Sequence, residues 1–152
     1  MSVKCEKTQK PERHALVIHT RTPVEKLPQA IGSSYQKIGT LMGKHGEQPI
    51  DVPYVAYYNM DMQDLDVEIG FIVGRPLEGE GDVKAVIYPA GAVATCMHKG
   101  SYDSMGPTYE ALTAWIKEQG LEPTGVVFEY YLNDPAEVGP EEVLTRIEML
   151  LK

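Results

Sequence analysis

The chain has 152 residues, of which 43% are apolar and 24% are charged, and its formal net charge is −8. This length suits one domain with a core of its own, so we predict a single domain over residues 1–152. Because non-specific nucleic-acid binding draws its affinity from lysine and arginine, the acidic balance argues against direct contact with nucleic acid.

Cysteine content and the lack of apolar runs give the expected cellular setting. Cys5 and Cys96 are too few and too far apart in sequence for a disulfide framework or a zinc site. No run approaches the roughly eighteen apolar residues that span a bilayer, and residues 1–15 contain no signal-peptide core. Thiols without an export signal are typical of a reducing compartment. We therefore expect a cytoplasmic protein without membrane contact.

Four elements are predicted in the first half of the chain. A run rich in β-branched residues predicts a strand at 14–20, and apolar residues recurring every three or four positions predict a helix at 27–42. The tyrosine-rich segment 53–60 and the alternating segment 66–73 predict two strands joined as a hairpin.

The second half has the same order of patterns. A strand at 92–98 precedes a helix at 104–119, and strands follow at 126–132 and 144–151. No histidine spacing suits a metal, and no nucleotide-binding fingerprint or nucleophile motif is present. We therefore predict neither a metal nor a cofactor.

The two halves predict a duplicated strand-helix-strand-strand unit, covering about residues 12–75 and 84–152. One such unit leaves an apolar sheet face and an apolar helix stripe that it cannot cover alone. Pairing two units through their sheets would give an α+β fold, one antiparallel sheet with two helices packed on it. We predict a ligand cleft at the pseudo-twofold seam between the halves.

Glu129 is the first candidate functional residue. It lies in the middle of an apolar, aromatic predicted strand, where alternation places it on the same side as Val127 and Tyr131. A carboxylate in such surroundings is costly unless something compensates for its charge. On the solvent-exposed face of an antiparallel sheet it would need no explanation. The residues alone leave both interpretations open.

Glu68 is a second carboxylate, in the strand predicted at 66–73 and opposite its apolar stripe. If Glu68 and Glu129 projected from the same sheet face, they could converge on one site. Such a pair would attract a cation, or would separate its pKa values and serve acid–base chemistry. The alternative is that both are surface residues.

Aromatic residues supply the other candidates, since the chain has nine tyrosines but two phenylalanines. Tyrosine combines a flat apolar ring with a hydroxyl, which suits planar or cationic ligands. Core packing is the alternative for some of them. The candidates on or near predicted inner strands and the second helix are Tyr54, Tyr57, Tyr58, Tyr102, Tyr109, Trp115, Tyr130 and Tyr131.

Several segments together resemble a known family. HKGSYDSMGPTYEALTAWIKEQGL (98–121), GVVFEYYLNDP (125–135) and PEEVLTRIEMLL (140–151) match, in order and spacing, the GyrI-like small-molecule-binding domain. This domain is also called the AraC-type or bacterial regulator effector-binding domain. DVEIGFIV, which contains Glu68, is similar to the corresponding first-half strand. The resemblance covers nearly the whole chain and implies a stand-alone member.

The resemblance implies a cleft that binds a small hydrophobic, often cationic or planar, molecule. In that case Glu129 meets the cation, and the aromatic wall comes from Tyr131, Trp115 and some of Tyr54, Tyr57 and Tyr58. The family's regulators carry a DNA-binding domain ahead of this one, and none is visible here. We therefore expect a sensor or sequestering protein that does not bind a promoter itself.

Two other functions are implied by the same resemblance. Some stand-alone members hydrolyse cyclopropane-bearing electrophilic toxins, and here Glu129 would be the acid–base group with Tyr131 or Glu68 assisting. Others resemble the DNA gyrase inhibitory protein and act through a protein partner, such as gyrase or a regulator. The residues do not choose among binding, hydrolysis and protein interaction.

Overall fold

The computed structural model describes residues 4–152, and these form eight β-strands and two α-helices. They group into two compact units, Pro11–Ala90 and Gly91–Lys152 with the described residues up to Lys10. The elements in chain order are β1 (Cys5–Lys10), β2 (Arg13–Thr22), α1 (Leu27–Lys44), β3 (Tyr54–Tyr57), β4 (Leu65–Val73), β5 (Lys84–Tyr88), β6 (Gly91–Lys99), α2 (Gly106–Glu118), β7 (Pro123–Tyr131) and β8 (Leu144–Leu151).

The unit Pro11–Ala90 contains α1 and four antiparallel strands in the order β3-β4-β2-β5. Ile38 and Met42 of α1 pack with Leu16 and Val73 of the sheet in one hydrophobic cluster. Since side chains alternate along a strand, the residues of β4 in step with Val73 face α1, and Glu68 faces the other side.

The second unit contains α2 and four antiparallel strands in the order β1-β6-β8-β7. Leu112 and Ile116 of α2 pack with Ala94, Val127 and Ile147 of the sheet. Alternation along β7 therefore puts the residues in step with Val127 on the side that α2 covers.

The α+β class, with antiparallel strands and two helices, is confirmed. The predicted hairpin is present as β3 and β4, although β3 ends at Tyr57 rather than at residue 60. β1 and β5 were not predicted, and they change the grouping of the strands. β5 pairs with β2 and β1 pairs with β6, so the units differ from the predicted halves 12–75 and 84–152.

Two features of the predicted fold stay predictions, namely the duplication of a strand-helix-strand-strand unit and a cleft at the pseudo-twofold seam. A further structural finding concerns the helices. Within residues 4–152, neither helix has the length and apolar character that a membrane crossing requires.

Candidate functional site

Glu129 lies near the end of β7, on the side of its sheet that α2 covers. Its register partner in β8 is Ile147, a fully buried core residue. The side chain is partly buried. Glu129 is therefore not a fully solvated surface carboxylate, and of the two interpretations of this residue the structure supports the compensated one.

Two tyrosine hydroxyls hold the carboxylate of Glu129. The Tyr109 hydroxyl, from α2, donates to Oε2, and the Tyr131 hydroxyl donates to Oε1 over 2.8 Å. Hydrogen bonds to a carboxylate compensate part of its desolvation and fix its orientation. A carboxylate has about four acceptor positions, so capacity remains beyond these two bonds for a cation or a further donor.

Tyr102 adds a ring beside this carboxylate. It packs edge-on against Tyr131, with ring centroids 5.7 Å apart and planes at 67°, and is 44% exposed. Partial burial, followed by the nearby charges of Asp134 and Glu129, raises the pKa of Tyr102. Its hydroxyl therefore stays protonated at neutral pH and is available as a donor.

Trp115 is another aromatic residue of α2. It packs against the hydrophobic cluster beneath the helix, as Tyr109 also does. A place for Trp115 in an aromatic wall of the ligand site stays a prediction.

Glu68 is held in a similar manner in the other unit. It is 9% exposed and lies on the side of its sheet away from α1. The Tyr58 and Tyr88 hydroxyls both donate to Oε1, over 2.7 and 2.8 Å, and His19 Nδ1 lies 3.3 Å from Oε2. Each unit therefore contains a carboxylate bound by two phenols.

The tyrosines of β3 divide between the two sides of the strand. Tyr54 is fully buried, and its hydroxyl is 2.8 Å from that of Tyr88. Tyr54 and Tyr58 share the side of Glu68, whereas Tyr57 alternates to the other side. Burial, followed by the adjacent Tyr54 and Glu68, raises the pKa of Tyr88. Tyr88 is therefore a permanent donor.

Two of these tyrosines were not predicted to contact a carboxylate. Tyr109 belongs to the apolar period of the second helix, which predicts core packing. Tyr88 lies in β5, which was not predicted, although the short apolar run before Pro89 is a strand signal that could have revealed it.

His19 connects Glu68 to a second carboxylate. Its Nε2 lies 2.5 Å from Asp66 Oδ1, and its ring stacks on Tyr58 with centroids 5.7 Å apart. Partial burial lowers the pKa of His19, but the hydrogen bonds and charges of Asp66 and Glu68 outweigh this and raise it above the ordinary 6.5. The protonated imidazole is thus favoured in the folded state.

The raised pKa of His19 predicts a pH dependence. Protonated His19 stabilises the fold fully below about pH 6.5, the unfolded-state pKa, and this stabilisation is lost as the pH rises through the higher folded-state pKa. An NMR titration of His19 should give a midpoint above 6.5, and Asp66→Asn should lower it. A wild-type midpoint at or below 6.5 would contradict the assignment.

A serine and a histidine also lie close together, in the second unit. His98 Nε2 is 3.2 Å from the Ser104 hydroxyl and 3.0 Å from the Ser101 carbonyl oxygen. Since a carbonyl only accepts, Nε2 carries a proton and cannot take one from Ser104, while Nδ1 contacts the Thr108 hydroxyl at 2.7 Å. This arrangement braces a loop and does not activate a nucleophile.

Each unit has a surface depression among its described residues. One of about 450 Å³ is lined by residues of Lys99–Ser104 and Pro140–Glu142. Another of about 430 Å³ lies beside His19 and Lys84. Neither is lined by Glu129 or Glu68. The convergence of these two glutamates on one site stays a prediction.

These features define a class of protein, an α+β small-molecule-binding domain of antiparallel strands and two helices. The chain belongs to the family of the GyrI-like small molecule binding domain, whose sequence model matches residues 4–152. No curated protein sequence matches the chain.

Solved structures share this fold. The C-terminal domain of EcmrR is 21% identical, with a TM-score of 0.82, over 100% of this chain and 99% of that domain. The chain spans 57% of the longer EcmrR chain seen in a complex with DNA. A hydrolase from Listeria innocua has 19% identity and a TM-score of 0.73, over 98% of this chain and 92% of the other.

A third similar structure holds a ligand. SAV2435 bound to tetraphenylphosphonium is 12% identical, with a TM-score of 0.63, over 100% of this chain and 94% of that chain. At these low identities the structural likenesses establish the fold alone.

Proposed function

We propose that this chain binds a small hydrophobic molecule, planar or cationic, with Glu129 as the charged contact. The observation that carries the proposal is the partly buried carboxylate whose two oxygens each accept a tyrosine hydroxyl. Partial removal from water strengthens the attraction of such a charge for a cation. In this role the chain would act as a sensor or sequestering protein.

The residues around Glu129 have different roles in the proposed binding of a ligand. The Tyr109 and Tyr131 hydroxyls orient the carboxylate, and the rings of Tyr131 and Tyr102 offer surfaces for an aromatic or cationic ligand. SAV2435, which has a similar fold, has been solved with an organic cation, and this supports the ligand class. Trp115 of α2 is a further candidate contact, and contacts with Glu68, Tyr54, Tyr57 and Tyr58 stay predictions.

The proposal predicts that Glu129→Gln weakens the binding of tetraphenylphosphonium at least tenfold, or about 1.4 kcal/mol. The amide keeps the size of the side chain and removes its charge. Binding of neutral triphenylphosphine oxide, measured in parallel by calorimetry, should change less than threefold (about 0.6 kcal/mol).

Glu110→Gln is the matched control. Glu110 is exposed on α2 beside Tyr109, and its replacement removes the same single charge from the chain. Equal losses in both variants would mean that net charge alone attracts the cation. An unchanged affinity in Glu129→Gln would refute the role of Glu129.

Hydrolysis of a cyclopropane-bearing electrophile is the second candidate. The Tyr131 hydroxyl, 2.8 Å from Glu129 Oε1, favours it because it joins a base to a proton donor. Glu129 would take a proton from water as the water oxygen bonds to a ring carbon. The strained C–C bond then breaks, the departing carbon receives a proton from Tyr131, and the proton taken up by Glu129 restores the Tyr131 hydroxyl. General acid–base assistance of this kind contributes about 10²- to 10⁴-fold.

Turnover separates the two candidates. An enzyme would open many equivalents of a cyclopropane electrophile per chain, and Glu129→Gln would abolish this while Glu110→Gln would not. Protection of one equivalent, without ring-opened product, would support sequestration. A wild-type protein that neither binds tetraphenylphosphonium nor opens the ring would refute both candidates.

A further inference from the structure

The two cysteines, far apart in sequence, are neighbours in the fold. Cys5 of β1 and Cys96 of β6 are direct register partners in an antiparallel pair. Directly opposed residues have Cα atoms about 4.5–5.5 Å apart, with side chains on the same side of the sheet. This spacing lies within the range of about 4.4–6.8 Å that a disulfide allows. The two thiols also interact, since Cys96 lowers the pKa of Cys5 and Cys5 raises the pKa of Cys96.

The surroundings of the pair keep it in the thiol form. Cys96 is 4% exposed in the cluster beneath α2, and partly buried Cys5 packs against the same cluster. Burial, with a contribution from Cys5, raises the pKa of Cys96 to about 12, and burial also raises the pKa of Cys5. Because the thiolate is the reactive form, oxidation should be slow and should begin at the more accessible Cys5.

We propose that Cys5 and Cys96 form an oxidative modification site that closes into a cross-strand disulfide when the chain meets a peroxide. The Cys5 thiolate attacks hydrogen peroxide, giving a sulfenic acid and hydroxide. Cys96 sulfur then attacks the sulfenic sulfur, the S–S bond forms and hydroxide leaves. Overall, two thiols lose two electrons and two protons, and one peroxide becomes two water molecules.

The bond would tie β1 covalently to β6. Because it closes the long loop between Cys5 and Cys96, it restricts the unfolded chain strongly, and the thermal midpoint should rise by about 10 °C. The clamp also lies against the cluster on which Tyr109 packs, so it braces the helix that supplies one of the hydroxyls bound to Glu129.

The test is exposure of the purified chain to hydrogen peroxide. The expected product is a monomer without reactive thiols, with a mass lower by about 2 Da, as disulfide closure removes two hydrogens. Its proteolytic map should contain the Cys5–Cys96 linked peptide, and reduction should return the original thermal midpoint. Cys5→Ala and Cys96→Ala should each gain no thermal stability on oxidation.

Other products would overturn the proposal. A disulfide-linked dimer would mean that an intermolecular bond forms first, and sulfinic acid at Cys5 with Cys96 still reduced would mean that the two sulfurs do not meet. An oxidised monomer that contains the link but has an unchanged thermal midpoint would refute the clamp. Because both alanine variants retain Glu129, binding of tetraphenylphosphonium can be measured in them independently.

Discussion

Gly70→Ala is expected to lower the free energy of unfolding by about 3 kcal/mol or more, since overpacking a tight core costs 1–3 kcal/mol and a backbone clash adds to this. An added Cβ would lie 2.5 Å from the Leu16 carbonyl oxygen and 2.7 Å from Val17 Cγ1. It would also lie 3.2 Å from the Tyr54 hydroxyl. The carbonyl oxygen cannot withdraw without disturbing the pairing of β2 with β4, so urea unfolding should show an earlier transition.

Gly91→Ala is the matched control for this change. Gly91 is the first residue of β6, and an added Cβ there would meet nothing within 4 Å. The free energy of unfolding of Gly91→Ala should stay within about 0.5 kcal/mol of the wild-type value. If Gly70→Ala behaved like Gly91→Ala, the close packing around β4 would be refuted. Displacement of the Tyr54 hydroxyl would also disturb the chain of bonds through Tyr88 to Glu68.

Lys10→Met is expected to lower the free energy of unfolding by about 2–4 kcal/mol, because it removes one cationic partner of the buried Glu148 carboxylate. Glu148 of β8 is 1% exposed, and its Oε2 lies 2.9 Å from Lys10 Nζ. Arg146 Nε forms a second ion pair with the same oxygen at 3.3 Å, and its guanidinium covers the Tyr130 ring. Lys10 is the closer of the two cations, and chemical denaturation would measure its contribution to the free energy of unfolding.

The double variant Lys10→Met with Glu148→Met tests the cause. The second change removes the buried carboxylate together with its Lys10 partner and leaves Arg146 stacked on the Tyr130 ring, so it should recover part of the free energy lost in Lys10→Met. If the free-energy losses of the two single variants simply added in the double variant, Lys10 would act through its packing rather than through the charge of Glu148.

The helices and the inner strands could be predicted because their apolar periods reflect burial on one side. The predicted helix 27–42 corresponds to α1, Leu27–Lys44, and the predicted strand 144–151 has the observed bounds of β8. β1 could not be predicted in this way. It is the first strand in the order of its sheet, its sequence CEKTQK is mostly polar, and it owes its place to pairing with β6.

The candidate site was partly predictable for a similar reason. Glu129 stood out because a charge in an apolar strand demands compensation, but nothing local indicates which donors provide it. Tyr109 comes from a helix, and its register against β7 depends on the packing of α2. The cysteines show the same limit, because distance along the chain led to the view that they lie too far apart, whereas pairing of β1 with β6 brings them together.

The placement of β1 also constrains how the polypeptide can acquire its structure during synthesis. Cys5–Lys10 leaves the ribosome before its neighbour in the sheet, which begins at Gly91, after the whole of Pro11–Ala90. The unit that combines β1 with Gly91–Lys152 can form only after a long loop has closed, which costs conformational entropy. Pro11–Ala90 is continuous in sequence and can fold as soon as it has been synthesised. The lysines and the glutamate of β1 would help to keep this unpaired strand soluble until β6 has been synthesised.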